Sequence, residues 1–392
     1  HQMTDNVIHL VLARLPDAPA GVKGISLFLV PKFLLDDNGQ PSQRNDVHCV
    51  SLEHKLGIHG SPTCVLSFGD NGGAKGYLVG EPHRGLMAMF TMMNDARQSV
   101  GLQGLSVSEC SYQQARGWAK ERLQGTRGDG TRYPIIEFPD VRRLLMLMKS
   151  ATEAMRGLAY VASAEIDRSR LSKDAEARAR HGKRVDLYTP IVKGWLTEMS
   201  QELTSHGIQV HGGMGHIEET GSALYYRDAR ITTIYEGTTA IQANDLVGRK
   251  ILADGGEALA ALLEEIGQTA EQLNQHDELS GLGESLAASV AAAASARNWL
   301  LEHARESRYV GGAAGVNLLM LLGYVCGGWI MGASALRAQA LLANRSGDAS
   351  FLQAKLVTAR FYGDHYLPRA EACRAAVQAG PDSIMALSAE QF

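Results

Sequence analysis

The rhythm of apolar and polar positions changes near residue 85. Before it, VIHLVLARL (7–15) and GISLFLVP (24–31) are short, rich in β-branched residues and partly alternating, as strands with one buried face are. DDNG (36–39) and DNGG (70–73) supply residues that tolerate positive φ, which tight turns require. The first 84 residues therefore predict an antiparallel β segment, cut off on its N-terminal side.

From Gly85 the period becomes helical. Leu86, Met89, Phe90, Met93, Val100, Val107, Cys110 and Trp118 recur at spacings of three, four or their sums, one stripe of a helix running to about Leu123. Such a helix is about 58 Å long, and only a large bundle buries it. A loop with Gly125, Gly128, Asp129, Gly130 and Pro134 follows. A second amphipathic pattern then starts near Asp140, with Val141, Leu144, Leu145, Met148, Met155 and Leu158 on one face. The charge-rich run 169–186 reads as a solvated connection or helix end. Thr189 and Pro190 read as an N-cap and first-turn proline, opening a helix that ends near His206 and Gly207. Beyond Lys250 the chain is rich in alanine, leucine and acids, which predicts further helices to Phe392.

The expected fold is mainly α. It comprises a partial middle β domain (1–84), a long four-helix bundle (85–250) and an additional C-terminal helical domain (251–392). Within the last, Tyr309 to Leu336 carries no charge and is long enough to cross a bilayer. Gly311, Gly312, Gly315, Gly323, Gly327 and Gly328 break it into shorter pieces and Asn317 interrupts it, so a buried helix pair is the expectation.

Composition narrows the partners. Of 392 residues, 45% are hydrophobic and 20% charged, ordinary globular usage. A net charge of -4 offers no electrostatic footprint for nucleic acid or anionic lipid, which favours a small-molecule partner. The five cysteines are scattered and odd in number, which fits a reducing compartment. A cytoplasmic chain is expected, with peripheral membrane association as the other option. HQMTDNVIHLVLARL has no basic leader and no initiator Met, which suggests a fragment or processed chain.

Three stretches carry candidate chemistry. In QVHGGMGHI (209–217), glycines after a helix end permit close backbone approach to phosphate or ribose, although a helix-ending turn explains them equally well. His211 and His216 flank them, but no carboxylate or cysteine completes a ligand set, so no metal is expected. Arg122, in GWAKERLQG, stands at the end of the long helix; its guanidinium suits either a diphosphate or the helix dipole. Glu236 is the single charge between Arg230 and Asp245. Such surroundings suit a general base, and equally an acid at a turn before a helix.

ERLQG, QVHGGMGH and YYRDARITTIYEGTTAIQ, in that order and separated by long helices, together resemble the flavin-dependent acyl-CoA dehydrogenase family. HKLGIHGSPTCVLSF and GEPHRGL resemble that family's middle β domain running into its C-terminal four-helix domain. KLVTARFYGDHYLP and DSIMAL resemble the extra helical domain of a larger bacterial subgroup.

The resemblance implies that Glu236 takes the α-proton of an acyl-CoA thioester while a hydride leaves the β-carbon for FAD, giving a trans-2-enoyl-CoA, as in fatty acid β-oxidation. The amide of Glu236 would stabilise the thioester oxygen. Arg97 resembles an active-site arginine and Tyr235 a residue lining the thioester, both substrate-binding. Arg122 and Gln124 resemble residues that reach the FAD of a neighbouring subunit. Gln209, Gly212 and Gly213 resemble its adenosine-diphosphate contact, and Thr238 a further FAD contact at a helix start. A homo-oligomer, dimer or tetramer, and an electron-transfer flavoprotein as acceptor are implied. Some relatives carry the base just before the arginine matching Arg97; here that residue is Ala96, and Asp95 is the reserve.

Two departures stand out. Gly125 follows Gln124 where the family usually has an aromatic, and the N-terminal helical domain and the TEPxGSD-like strand are absent from this chain. The alternatives are an acyl-CoA oxidase, an inactive proteolytic core, and a DNA-associated flavoprotein relative. The last predicts a basic tail, whereas acidic residues outnumber basic ones after Ile251.

Overall fold

The computed structural model describes residues 3–392, so that only residues 1 and 2 of the expected β domain lie outside the described residues. Two compact units divide the chain, residues 1–96 and 97–392.

The strands of the first unit are β1 (Ile8–Arg14), β2 (Ile25–Pro31), β3 (Phe33–Leu35), β4 (Pro41–Arg44), β5 (Val47–Leu52), β6 (Cys64–Phe68) and β7 (Tyr77–Val79). All pairings are antiparallel: β1, β2 and β7 form one sheet, with Leu10 opposite Leu29 and Leu29 opposite Tyr77, while β3–β4 and β5–β6 pair separately. The DDNG turn forms as its composition predicts. Asp36 Oδ1 accepts from the amides of Asn38 and Gln40 at 2.9 and 2.8 Å, and Gly39 takes φ 76°. Buried Asn45 ties the unit together. Its Nδ2 donates to the carbonyls of Pro31 and Lys75, and its Oδ1 accepts from Lys75 N–H.

The helical chain begins with α1 (Gly85–Glu121), 37 residues long as the period predicts. Its buried line matches the expected one in part: Met89 and Val100 are buried as expected. Arg97, Gly101, Gly104, Ser108, Ser111, Ala115 and Ala119 are buried, whereas Cys110 is exposed and Val107 and Trp118 are half-buried. Small residues win that face because another helix comes close: a Cβ on Gly101 would lie 2.6 Å from Val192. Where a loop was expected, β8 (Leu123–Thr126) and β9 (Arg132–Pro134) form a hairpin, its turn closed by Asp129 Oδ1 accepting from Thr131 N–H at 2.9 Å.

There follow α2 (Pro139–Leu171), α3 (Ala175–His211), α4 (Ser222–Thr232), α5 (Thr239–Asp245), α6 (Glu257–Asn274), α7 (Ser280–His303), α8 (Val310–Ala343), α9 (Ala349–His365) and α10 (Arg369–Gln378). The expected start of a helix at Thr189–Pro190 is wrong. α3 is capped earlier, by Asp174, whose carboxylate accepts from Glu176 and Ala177 N–H; of the charged run, 169–171 end α2, 172–174 connect, and 175–186 are the first turns of α3. Pro190 sits mid-helix, where the missing N–H and the ring cost about 3 kcal/mol. Burial overrides that cost: Leu187, Tyr188, Ile191 and Val192 are at most 1% exposed. Thr189 does not cap but donates its hydroxyl to Val185 O and accepts from Gln98 Nε2.

The apolar run from Tyr309 is also not a helix pair. α8 is one unbroken helix of 34 residues, long and apolar enough to cross a membrane, with 72% of its most apolar stretch buried inside the protein. Its glycines are packing notches. A Cβ on Gly323 would lie 2.1 Å from Trp195, on Gly327 2.1 Å from Tyr362 Oη, and on Gly328 2.5 Å from Leu367. Residues 97–392 share one core that runs through both helical regions and includes fully buried Trp195, Tyr362 and Tyr366.

At its edge Arg369 forks onto Glu202 at 2.7 and 2.8 Å and lies over the rings of Tyr324 and Tyr366. Burial alone would raise the Glu202 carboxyl, but His206 and Arg369 outweigh it and pull it from 4.5 to about 2. A carboxyl held low when folded stabilises above its unfolded value and loses that contribution as it protonates. Melting temperature should therefore fall as pH drops from about 4.5 towards 2, and in Glu202→Gln, about 1–2 kcal/mol less stable at pH 7, that acid slope should be shallower in a thermal unfolding series.

Candidate active site

Between α4 and α5 the chain turns through Glu236, φ 54°, and Gly237, φ 91°. A left-handed glutamate costs on the order of 1–2 kcal/mol, so the surroundings must impose it. The turn is tied at both ends by backbone bonds, Tyr235 N–H to Ile231 O and Thr239 N–H to Thr233 O, each 3.1 Å. Inside it, Gln242 Nε2 donates to the carbonyls of Glu236 and Gly237 at 3.1 and 3.3 Å, and Lys193 Nζ donates to Gly237 O at 2.6 Å. Both side chains are 0% exposed. Outside it, Tyr235 Oη donates to Gln103 Oε1 of α1, and Thr239 Oγ1 to Glu198 Oε1 of α3. Thr238 caps α5, accepting from Ile241 N–H at 3.3 Å. The Glu236 side chain is half-buried.

Arg97 is 3% exposed, and its Nη1 meets Asp245 Oδ2 at 3.2 Å, a buried ion pair that joins α1 to α5. Asp95 is exposed. Lys193, Gln242, Glu198 and Asp245 were not singled out from sequence. One signal existed: Lys193 is the only charge between Asp186 and Glu198. Burial pulls its ammonium from 10.5 to about 8, with Glu198 and Glu236 opposing that pull and Arg97 adding to it.

The other expected residues meet elsewhere. A cavity of about 610 Å³ has Arg122, Gln124, Gln209, Gly212 and Gly213 in its wall, together with Trp118, but not Glu236, Tyr235, Thr238 or Arg97. The end of α1 delivers Arg122, whose N–H still bonds Trp118 O, and the β8–β9 hairpin delivers Gln124. Gly125 is accounted for by that hairpin. A Cβ there would lie 2.0 Å from the Tyr133 ring, which comes across from β9. α3 ends in Gly212 at φ 62°, and nothing lies within 4 Å of where a Cβ on Gly212 or Gly213 would stand. The Trp118 ring stacks on His211, and its buried Nε1 has no partner among the described residues. Burial lowers the pKa of His211, so its neutral ring donates from Nδ1 to Gly207 O at 2.7 Å. His216 is exposed, and among the described residues no three side chains cluster to hold a metal.

An exposed arginine, two amides, bare backbone facing open space and an unmet indole N–H suit a phosphate-bearing heterocyclic ligand, so this donor set fits a dinucleotide such as FAD.

Comparison with known proteins gives the family. Residues 83–252 match the family described as acyl-CoA dehydrogenase, C-terminal domain, and residues 262–388 the one described as acetyl-CoA dehydrogenase C-terminal like. Over 99% of its length the chain is 46% identical to the 3-methylmercaptopropionyl-CoA dehydrogenase of Ruegeria pomeroyi and 36% identical to a broad-specificity linear acyl-CoA dehydrogenase of Mycobacterium tuberculosis. It spans 66% of the length of each of these relatives. Its fold is shared with an acyl-CoA dehydrogenase of Bacillus anthracis complexed with FAD, at TM-score 0.72 and 20% identity, covering 94% of this chain and 60% of that one. On these matches the chain belongs to the acyl-CoA dehydrogenase family of flavin-dependent oxidoreductases.

Proposed function

We propose that the full-length protein is an FAD-dependent acyl-CoA dehydrogenase in which Glu236 is the base. The observation that carries this reading is a carboxylate held in left-handed backbone on a turn clamped by buried Lys193 and Gln242. Bound FAD would supply the acceptor for the hydride that leaves the β-carbon. This chain's residues do the rest. Glu236 takes the α-proton, and the C–H electron pair becomes the new Cα–Cβ π bond as the hydride departs. The α-carbon is a weak acid, so charge developing on the thioester oxygen needs a donor, and the Glu236 N–H is the one adjacent. Arg122, Gln124, Gln209 and the Gly212–Gly213 backbone would hold the dinucleotide. Glu236 lies outside the wall of that cavity, which supports a flavin site completed by a second copy of the chain, hence a homo-oligomer. An electron-transfer flavoprotein as acceptor and a cytoplasmic location complete the reading.

For substrate, the names of the two relatives favour short and linear saturated acyl thioesters, with 3-methylmercaptopropionyl-CoA the first to try. Anaerobic titration of the full-length, FAD-loaded protein should bleach the flavin with one chain length. Firmly bound FAD that no acyl-CoA bleaches would overturn the reading. Arg122→Ala should weaken FAD binding about 10–100-fold, the worth of a charge-assisted hydrogen bond, measured as flavin released on dilution.

A further inference from the structure

Lys193 is a buried charge that the reaction as described does not use. Hydrophobic residues surround it along α3, with Ile191, Val192, Trp195 and Leu196 all 0% exposed. A buried ammonium is costly wherever a methylene chain would fill the same space. Below pH 8 the folded protein carries a charge that the unfolded chain holds more favourably, a penalty relieved only as pH rises from about 8 to 10.5. Stability therefore does not explain this lysine. Among the described residues its one hydrogen-bond acceptor is Gly237 O.

That carbonyl follows the proposed base. Gly237 O accepts from Lys193 and Gln242, using both lone pairs, and Glu236 O accepts from Gln242. Each oxygen belongs to a planar peptide group. Anchoring both oxygens anchors the two consecutive planes that flank Gly237, and the first of these contains the Glu236 Cα, so the root of the Glu236 side chain is held in place. The charged groups around the ammonium are Arg97 from α1, Glu198 from α3 itself and Glu236 from the turn, so the lysine also sits in the field of the carboxylate it orients.

We infer that Lys193 is a positioning residue: its ammonium, from the centre of α3, holds the Gly237 carbonyl and so aims the Glu236 carboxylate at the α-carbon. This rests on Glu236 being the base. Gln242 makes the second half of the clamp, from α5.

Lys193→Met in the full-length, FAD-loaded protein tests it, since methionine keeps most of the volume and removes the donor. Two readouts are needed. Hydrogen exchange of the segment 233–242, bracketed by the Tyr235 and Thr239 amides, should quicken about tenfold with the other helices unchanged. In stopped-flow mixing with acyl-CoA, flavin reduction should slow about 10–100-fold while the dissociation constant of acyl-CoA stays within about threefold, and Lys193→Arg should recover part of the rate. The melting temperature should hold or rise. Unchanged exchange in 233–242, or a general loss of protection with a lower melting temperature, would overturn the proposal. Were the wild type itself not reduced by any acyl-CoA, the enzymatic reading would fail, and exchange alone would decide whether Lys193 holds the turn.

Discussion

Glu236→Gln in the full-length, FAD-loaded protein is expected to slow flavin reduction by acyl-CoA about 10³-fold or more, near the upper end of what one positioned base contributes. Glutamine keeps the shape and hydrogen-bonding reach of glutamate but not its proton affinity. The backbone clamp on the turn involves only main-chain atoms of Glu236, so the fold should be untouched. FAD should stay bound, because Glu236 is absent from the wall of the cavity that holds Arg122 and Gln209. Stopped-flow absorbance with saturating acyl-CoA measures the rate, and retained flavin colour after gel filtration measures occupancy. Glu236→Asp, shorter by one methylene, should fall in between. A rate within tenfold of wild type would end the assignment and turn attention to exposed Asp95.

The second large effect is structural. Gly323→Val places a branched side chain where a Cβ alone would lie 2.1, 2.3 and 2.6 Å from Trp195 Cγ, Cδ1 and Cβ. Those atoms form the root of a fully buried indole, which cannot swing aside without displacing α3. Overpacking of this kind costs up to about 3 kcal/mol, which corresponds to a fall of roughly 4 °C in melting temperature for a chain of this size. The control is on the same helix. A Cβ on Gly312 meets nothing within 4 Å, so Gly312→Ala should stabilise by up to about 1 kcal/mol through helix propensity alone. Circular dichroism melts of the two variants decide it, and equal melting temperatures would show that the contact with Trp195 does not govern α8.

These two predictions differ in how far the sequence reaches them. Glu236 is visible as an isolated carboxylate in IYEGT, and α1 is visible because a helical period persists without interruption. Gly323 is visible only as a glycine in an apolar run, where it looks like a break. Its meaning comes from Trp195, on another helix. Pro190 is the same error in reverse: Thr-Pro looks like a helix start when judged by its neighbours, yet the buried flanks of α3 carry the helix straight through it. The stripe expected on α1 held at Met89 and Val100 but not at Cys110, because close helix contact selects Gly101, Gly104 and Ser108 for the tightest part of the face.

The candidate site divides along that line. Arg122, Gln124, Gln209, Gly212 and Gly213 were marked by the resemblance of their motifs, but only the ends of α1 and α3, with the β8–β9 hairpin, bring them to one wall. Lys193 reaches Gly237 across 44 residues of chain, a pairing no local pattern encodes.

By itself, then, the sequence determined where strands give way to helices and how long α1 runs, since period is a local property, while the roles of Glu236 and of the cavity residues were implied only by the resemblance of their motifs. Tertiary structure alone decided that α8 is one helix, that Pro190 is interior, and that a buried lysine grips the turn beside Glu236. Each of these depends on which atoms of a distant segment fill the adjoining space, and close packing is a property of the pair, not of either partner's sequence.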